Sequence, residues 1–275
     1  MKFNCKVEDL RRIVGIAERF TGKHTTLPIL GNILFRVEGD TLHVIATNLE
    51  YALQMEHTVT DAKNGTATLP AKIMSTLLQS LDVGKVTIEE KQGGVLITTA
   101  TERARLNGLS AADFPLIPRV EGQLSTTLDA RSLQHGLASV LPMVSISEFK
   151  PELTGVLFCV TPQTLVLAAT DTFRLAEKTI PLARNTEDRF SFIIPHRVAL
   201  ELCRVLGDGD IRITSAEGQV SFTTNTMIVV SRLIDGIFPD YKGIIPKDFK
   251  TSSFLKRHEL LRAVRSSGIF ASRLQ

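Results

Sequence analysis

Residues 165–180 read LVLAATDTFRLAEKTI, and residues 42–58 read LHVIATNLEYALQMEHT. Each begins with alternating apolar residues, passes through Ala-Thr and a polar pair, and resumes the alternation. That is the period-two pattern of a strand, a turn and a second strand. Thr170 follows Thr47 by 123 positions, and other landmarks keep nearly the same offset. Pro70 opens PAKIMSTLLQSL and Pro195 opens PHRVALELCRVL, 125 apart, while Phe114-Pro115 and Phe238-Pro239 stand 124 apart. Leu10, Leu133 and Leu260 mark helical segments 123 and then 127 apart. Self-similarity at a fixed period is the signature of repeat architecture. The expectation is therefore two tandem modules, 1–123 and 124–248, and the opening of a third at 249–275.

Within each module the patterns alternate between periods. The first opens on a helix carrying Val7, Leu10, Val14 and Ala17, entered directly from Met1-Lys2-Phe3-Asn4. Strand patterns follow over 33–37, 42–46 and 53–57, with a turn expected at 61–65. A short strand then leads to a helix after Pro70, where proline suits the first turn. Three more strands, 86–90, 95–99 and 104–109, close the module, with a turn at 92–94. The second module repeats the order, with a helix through Leu133, Leu137 and Val140, then strands, a helix over 196–206, and strands again. The fold class this implies is α+β: tandem repeats, each with two helices packed on two antiparallel sheets. A further helix carries Leu260, Leu261 and Val264, and about 25 residues beyond the second module are too few for a third copy.

The chain has 275 residues, 43% apolar and 22% charged, an ordinary globular composition with enough residues for two cores. No apolar run approaches the roughly 20 residues of a membrane helix, and no signal peptide opens the chain, so a cytoplasmic location is expected. Cys5, Cys159 and Cys203 show no CxxC spacing; buried free thiols are expected, with neither disulfide nor zinc site. Phosphate-loop, HExxH and GxSxG patterns are missing and the six histidines are scattered, so no catalytic residue, metal or cofactor is expected. Gly207-Asp208-Gly209-Asp210 reads as a helix-ending turn, and Thr170-Asp171 as side chains satisfying a turn backbone. An enzyme assembled in space at the cleft between modules is the competing reading.

Charge is informative by place. The formal net charge is only +3, yet the helical windows 5–23, 71–82, 128–143, 196–206 and 254–265 hold 13 Lys or Arg against 7 Asp or Glu. Helices facing a common polyanion would attract phosphate without reading sequence. Solvated helix faces are the plainer alternative.

Four motifs, ATDTFRLA at 169–176, LPILGNIL at 27–34, LSAADFP at 109–115 and LIDGIFPDY at 233–241, resemble the bacterial DNA polymerase III beta subunits, the sliding clamps. The resemblance runs the length of the chain. It implies clamp domains whose helices line a hole around duplex DNA, in a head-to-tail homodimer ring of three-domain subunits that serves as a processivity factor. Most of the third domain would be absent here, which leaves a second reading: a clamp fragment acting as a peptide-binding scaffold without ring closure.

Two sets of residues carry over from the resemblance. A pocket for short apolar peptides of the polymerase III alpha subunit, the clamp loader and other partners would include Leu153, Thr170, Thr172, Phe173, Arg174, Leu175, Pro239 and Ile244. Such a groove needs an apolar floor with few polar anchors. Thr172-Phe173 stand where clamps often have Gly-His, and Gly243 where a basic residue is common. DNA contacts would come from Lys23, His24, Lys72, Lys150 and Arg197, while Pro151-Glu152 replace an aromatic pair found in some clamps.

Overall fold

The alternating segments form strands, and the strands pair mostly with their neighbours in sequence. In the computed structural model, which describes residues 1–22, 27–91, 94–122, 124–147, 149–182, 189–246 and 248–270, the first repeat runs β1 (Lys2–Lys6), α1 (Val7–Ala17), β2 (Asn32–Glu38), β3 (Thr41–Thr47) and β4 (Tyr51–Thr58). It continues through β5 (Thr60–Lys63), β6 (Gly65–Pro70), α2 (Ala71–Ser80), β7 (Lys85–Lys91), β8 (Gly94–Thr98) and β9 (Arg103–Asn107). The second repeat runs β10 (Leu124–Asp129), α3 (Ala130–Val140), β11 (Gly155–Val160), β12 (Thr164–Thr170), β13 (Leu175–Pro181) and β14 (Phe190–Pro195). It ends with α4 (His196–Val205), β15 (Asp210–Ala216), β16 (Gln219–Thr223) and β17 (Met227–Arg232). Apart from β5, the two orders are the same.

Three antiparallel sheets result. One holds β5-β1-β7-β8-β9, another β13-β12-β11-β14, and the third is eight strands wide, β10-β15-β16-β17-β4-β3-β2-β6. That wide sheet is half from each repeat. Its seam is the antiparallel pairing of β17 with β4, where Met227 faces Met55, Ile228 faces Gln54 and Val229 faces Leu53. Contacts accordingly divide the chain into residues 1–238, which hold both repeats, and residues 239–275.

Helices α1 to α4 each bury one stripe. Val7, Leu10, Ile13, Val14 and Ala17 of α1 are buried, as are Leu133, Leu137 and Val140 of α3 and Val198, Ala199 and Leu202 of α4. Asp129 caps α3, its carboxylate accepting from the Ser132 N–H at 2.7 Å. Gly136 lets α3 approach the sheet, since a Cβ there would stand 2.6 Å from Ile180 Cδ1 and 2.9 Å from Leu167 Cδ1. Aromatic contacts tie sheet to sheet: Phe3 meets Phe35 edge-on at 6.1 Å, and Phe158 meets Phe222 at 5.8 Å. The second unit contains α5 (Arg257–Gly268), whose Leu260, Leu261 and Val264 are all exposed.

Three readings from sequence are corrected. Residues 2–6 are a strand, not an approach to a helix, because β1 pairs with β7 on one side and β5 on the other. The turn expected over 61–65 lies largely in β5, whose Lys63 faces Lys2 and whose Thr60 faces Asn4. The three cysteines are free but only half-buried. Cys5 is nonetheless poorly ionised, its thiol pushed up to about 12 by burial and secondarily by Asp9. Residues 92–93 of the expected turn at 92–94 lie outside the described residues.

Leu53 is fully buried opposite Val229 at the seam. Leu53→Ala is expected to lower stability by about 2–5 kcal/mol through lost transfer energy and a cavity, read as a lower midpoint in urea unfolding.

Candidate peptide-binding turn and DNA-facing helices

The turn between β12 and β13 is built by its own side chains. Thr170 donates its hydroxyl to Arg174 O at 2.8 Å and accepts from the Thr172 N–H at 3.1 Å. Asp171 Oδ1 accepts from the N–H groups of Phe173 at 3.0 Å and Arg174 at 2.7 Å. Its Oδ2 takes the Arg174 guanidinium, Nε at 2.9 Å and Nη2 at 2.7 Å. Thr172 sits at φ +77°, where a side chain is disfavoured.

The same turn occurs 123 residues earlier. Thr47 donates to Tyr51 O at 3.0 Å and accepts from Leu49 N–H at 3.0 Å. Asn48 Oδ1 accepts from Glu50 and Tyr51 N–H at 3.1 and 3.0 Å, and Leu49 has φ +75°. Thr170-Asp171 is therefore first a folding device, as the sequence suggests. What the second copy adds is charge and exposure: Asp171 and Arg174 replace Asn48 and Tyr51, and the Phe173 side chain is 94% exposed.

The other expected pocket residues are distributed as follows. Leu153 closes a short 3-10 turn (Pro151–Leu153) and is buried. Leu175 begins β13 opposite Thr170 and is half-buried. Pro239 and Ile244 belong to the second unit, where Ile244 ends a 3-10 turn (Lys242–Ile244) and is exposed. Within residues 1–238 the structure thus brings Thr170, Thr172, Phe173, Arg174 and Leu175 together on one hairpin.

On the helical side, side chains join the helices into one contiguous row. Arg11 of α1 donates to Leu78 O and Leu81 O, each at 2.7 Å, tying α1 to the end of α2. Gln134 of α3 donates to Cys203 O and Leu206 O, each at 2.8 Å, tying α3 to α4. Between the pairs stands Glu201 of α4, only 3% exposed. Its Oε1 accepts from Arg204 Nη1 at 2.7 Å, and its Oε2 lies 3.5 Å from Nη1 of Arg19, just past α1. The row runs α2, α1, α4, α3.

Buried Tyr51 lies at this junction too, stacked edge-on with Phe20 at 5.6 Å. Burial pushes its phenol up, and the neighbouring Arg197 guanidinium partly opposes the shift. Arg19, Glu201 and Arg204 escape sequence reasoning, because a glutamate on a charged helix reads as solvated. One of its two cationic partners, Arg19, comes from the neighbouring repeat.

Exposed positions of the row are mainly basic: Arg12, Lys72, Arg131, Arg197 and Arg204, with Glu8 and Asp82 among the acids. Arg131 is held by Asp208 in the loop between the Leu206 cap of α4 and β15, where Gly209 has φ +101°. Lys150 is exposed just before the Pro151–Leu153 turn. Lys23 and His24 lie outside the described residues. No cluster of metal-ligating side chains occurs among the described residues, and none of their helices is long and apolar enough to cross a membrane.

A tandem α+β repeat with its helices in one row and its sheets joined edge to edge is the architecture of the DNA clamps. Residues 1–118 match the family model for the DNA polymerase III beta subunit N-terminal domain, and residues 127–240 match its central domain. The beta sliding clamp of Synechococcus elongatus is 29% identical over 98% of this chain and 74% of its own length. Among solved structures, the DNA polymerase sliding clamp of Bacillus subtilis aligns with a TM-score of 0.92 at 26% identity, over 100% of this chain and 75% of that one. The Pseudomonas aeruginosa DnaN clamp bound to griselimycin aligns with a TM-score of 0.87 at 29% identity, covering 91% and 69%. The chain belongs to the DNA polymerase III beta subunit family, the bacterial sliding clamps.

Asp171 supplies a test of the turn. The Arg174 backbone N–H, then its side chain, hold the Asp171 carboxyl down to about 2 from 3.8. A lowered carboxyl pKa stabilises the fold above the unfolded value, and that contribution disappears as pH falls from about 4 through 2. Arg174→Ala keeps the backbone donor and removes the guanidinium, so the Asp171 midpoint, followed by carbon-detected NMR, is expected to rise part of the way towards 3.8.

Proposed function

We propose that this chain acts as a sliding clamp on duplex DNA in the cytoplasm, built of modules 1–123 and 124–248 with the start of a third at 249–275. The carrying observation is the helix row, which continues across both repeats through Arg11, Gln134 and Glu201 and presents mainly basic side chains. A row of this kind meets phosphates along a duplex while the sheets face away. Lys72, Lys150 and Arg197 act as separate phosphate contacts. Contacts made to phosphate rather than to base edges carry no sequence information, so they permit sliding. Encirclement then replaces affinity: a closed ring stays on DNA although each contact is weak.

The hairpin of Thr170 to Leu175 is the partner site in this reading. Its turn is held by its own side-chain hydrogen bonds, Phe173 projects from it, and half-buried Leu175 supplies apolar surface beside it. Short apolar peptide motifs of the polymerase III alpha subunit, the clamp loader and other clamp-binding proteins would dock there. That the Pseudomonas aeruginosa clamp, 29% identical to this chain, is found bound to griselimycin supports a ligand-binding site in this family. The protein performs no bond chemistry in this role.

Fluorescence anisotropy with duplexes of unrelated sequence tests the DNA reading. Binding is expected to be weak, sequence-independent and steeply salt-dependent, and Lys72→Ala should flatten the log–log salt slope by about 0.9. Sequence-specific or salt-indifferent binding would contradict it, and no DNA binding at all would favour the scaffold reading.

For the peptide site, Leu175→Ala is expected to weaken a short apolar clamp-binding peptide by roughly thirtyfold, about 2 kcal/mol. Thermal unfolding of both proteins separates lost contact from lost fold. Unchanged affinity with an unchanged midpoint would remove Leu175 from the site.

A further inference from the structure

Glu201 is the one charged residue that is buried among those described, and it stands in the middle of a basic row. On α4 it follows Arg197 by four positions and precedes Arg204 by three, so the three side chains share one stripe of the helix, a turn apart. Arg204 bonds its Oε1, and Arg19 of the other repeat faces its Oε2, which is held by charge and not by a hydrogen bond. Arg197 bonds the phenol of buried Tyr51. Arg19 and Arg204 are half-exposed and Arg197 is exposed. Three arginines from two repeats therefore gather round one buried carboxylate and one buried phenol, and each still reaches solvent.

We propose that Glu201 is a positioning residue for phosphate binding: it holds Arg19 and Arg204, and Tyr51 holds Arg197, as one ordered cluster at the join of the repeats before DNA arrives. The proposal rests on the DNA reading above. Its physical basis is preorganisation. An arginine that is free in solvent loses rotamer freedom when a phosphate fixes it, and one already fixed has less to lose. Charge and position then predict opposite signs. Taking an acid away from a surface that meets a polyanion strengthens the attraction, whereas taking away the group that orders the arginines weakens it.

Duplex binding by the 275-residue chain, followed by fluorescence anisotropy at low salt, separates the two. E8Q takes one negative charge from an exposed position of the row and is expected to tighten binding. E201Q takes the same charge and is expected to weaken binding at least about threefold. Thermal unfolding of each variant, with binding measured well below the midpoints, restricts the comparison to folded protein. NMR relaxation of arginine Nε–H groups in the parent supplies a test that needs no variant. Arg19 and Arg204 are expected to be as ordered without DNA as with it, while exposed Arg12 of the same row gains order on binding. E201Q binding at least as tightly as the parent, or Arg19 and Arg204 becoming ordered only on DNA, overturns the proposal and leaves the DNA reading standing. A parent that binds no duplex overturns both.

Discussion

The structure depends on the pairing of β17 with β4. Each is the last strand of its own half-sheet, and a strand edge leaves backbone N–H and C=O groups that must find partners. Joining the edges satisfies both and makes one eight-stranded sheet from two halves. Buried Val229 and Leu53 face each other across the join. Two repeats that could have been separate beads on a linker are thereby held at a fixed spacing. The helix row follows from this, because α1 and α4 meet only when the sheets beneath them are continuous.

Where the helices meet, the chemistry is polar. Glu201 is buried between Arg204 of its own helix and Arg19 of the other repeat. A buried carboxylate without partners would be strongly destabilising, so its position specifies the junction more than it strengthens it. The arginines are half-exposed, and their positive charge is shared between Glu201 and the open side of the row. One acidic residue thus anchors the junction while the exposed surface stays mainly basic.

The duplicated turn shows how a repeat acquires a second use. Thr47 to Tyr51 and Thr170 to Arg174 make the same set of hydrogen bonds, and in both the third residue is held at positive φ. In the first repeat the turn ends in buried Tyr51, which packs on Phe20. In the second it ends in Arg174, salt-bridged to Asp171, with Phe173 standing in solvent. The backbone solution is common, and the side chains turned outward differ.

From the sequence by itself the repeat period, the hairpins of β2 to β4 and β11 to β13, and the helices after Pro70 and Pro195 could be read, because each rests on local periodicity or on the fixed φ of proline. The family was legible in part for the same reason: ATDTFRLA and LSAADFP hold turns in which Thr170, Asp171 and Ser110 side chains bond nearby backbone. Strands β1 and β5 were not legible. KFNCK and TDAK are short, and they are strands only because partners many residues away offer edges, β7 for β1 and β1 for β5. Nor could Glu201 be told from a solvated glutamate, since its partner Arg19 lies in the neighbouring repeat, far away in sequence. The tertiary structure alone decided which edges pair and which stay open, because a strand's own residues specify that it is extended, while its partner is chosen by burial and register across the whole sheet.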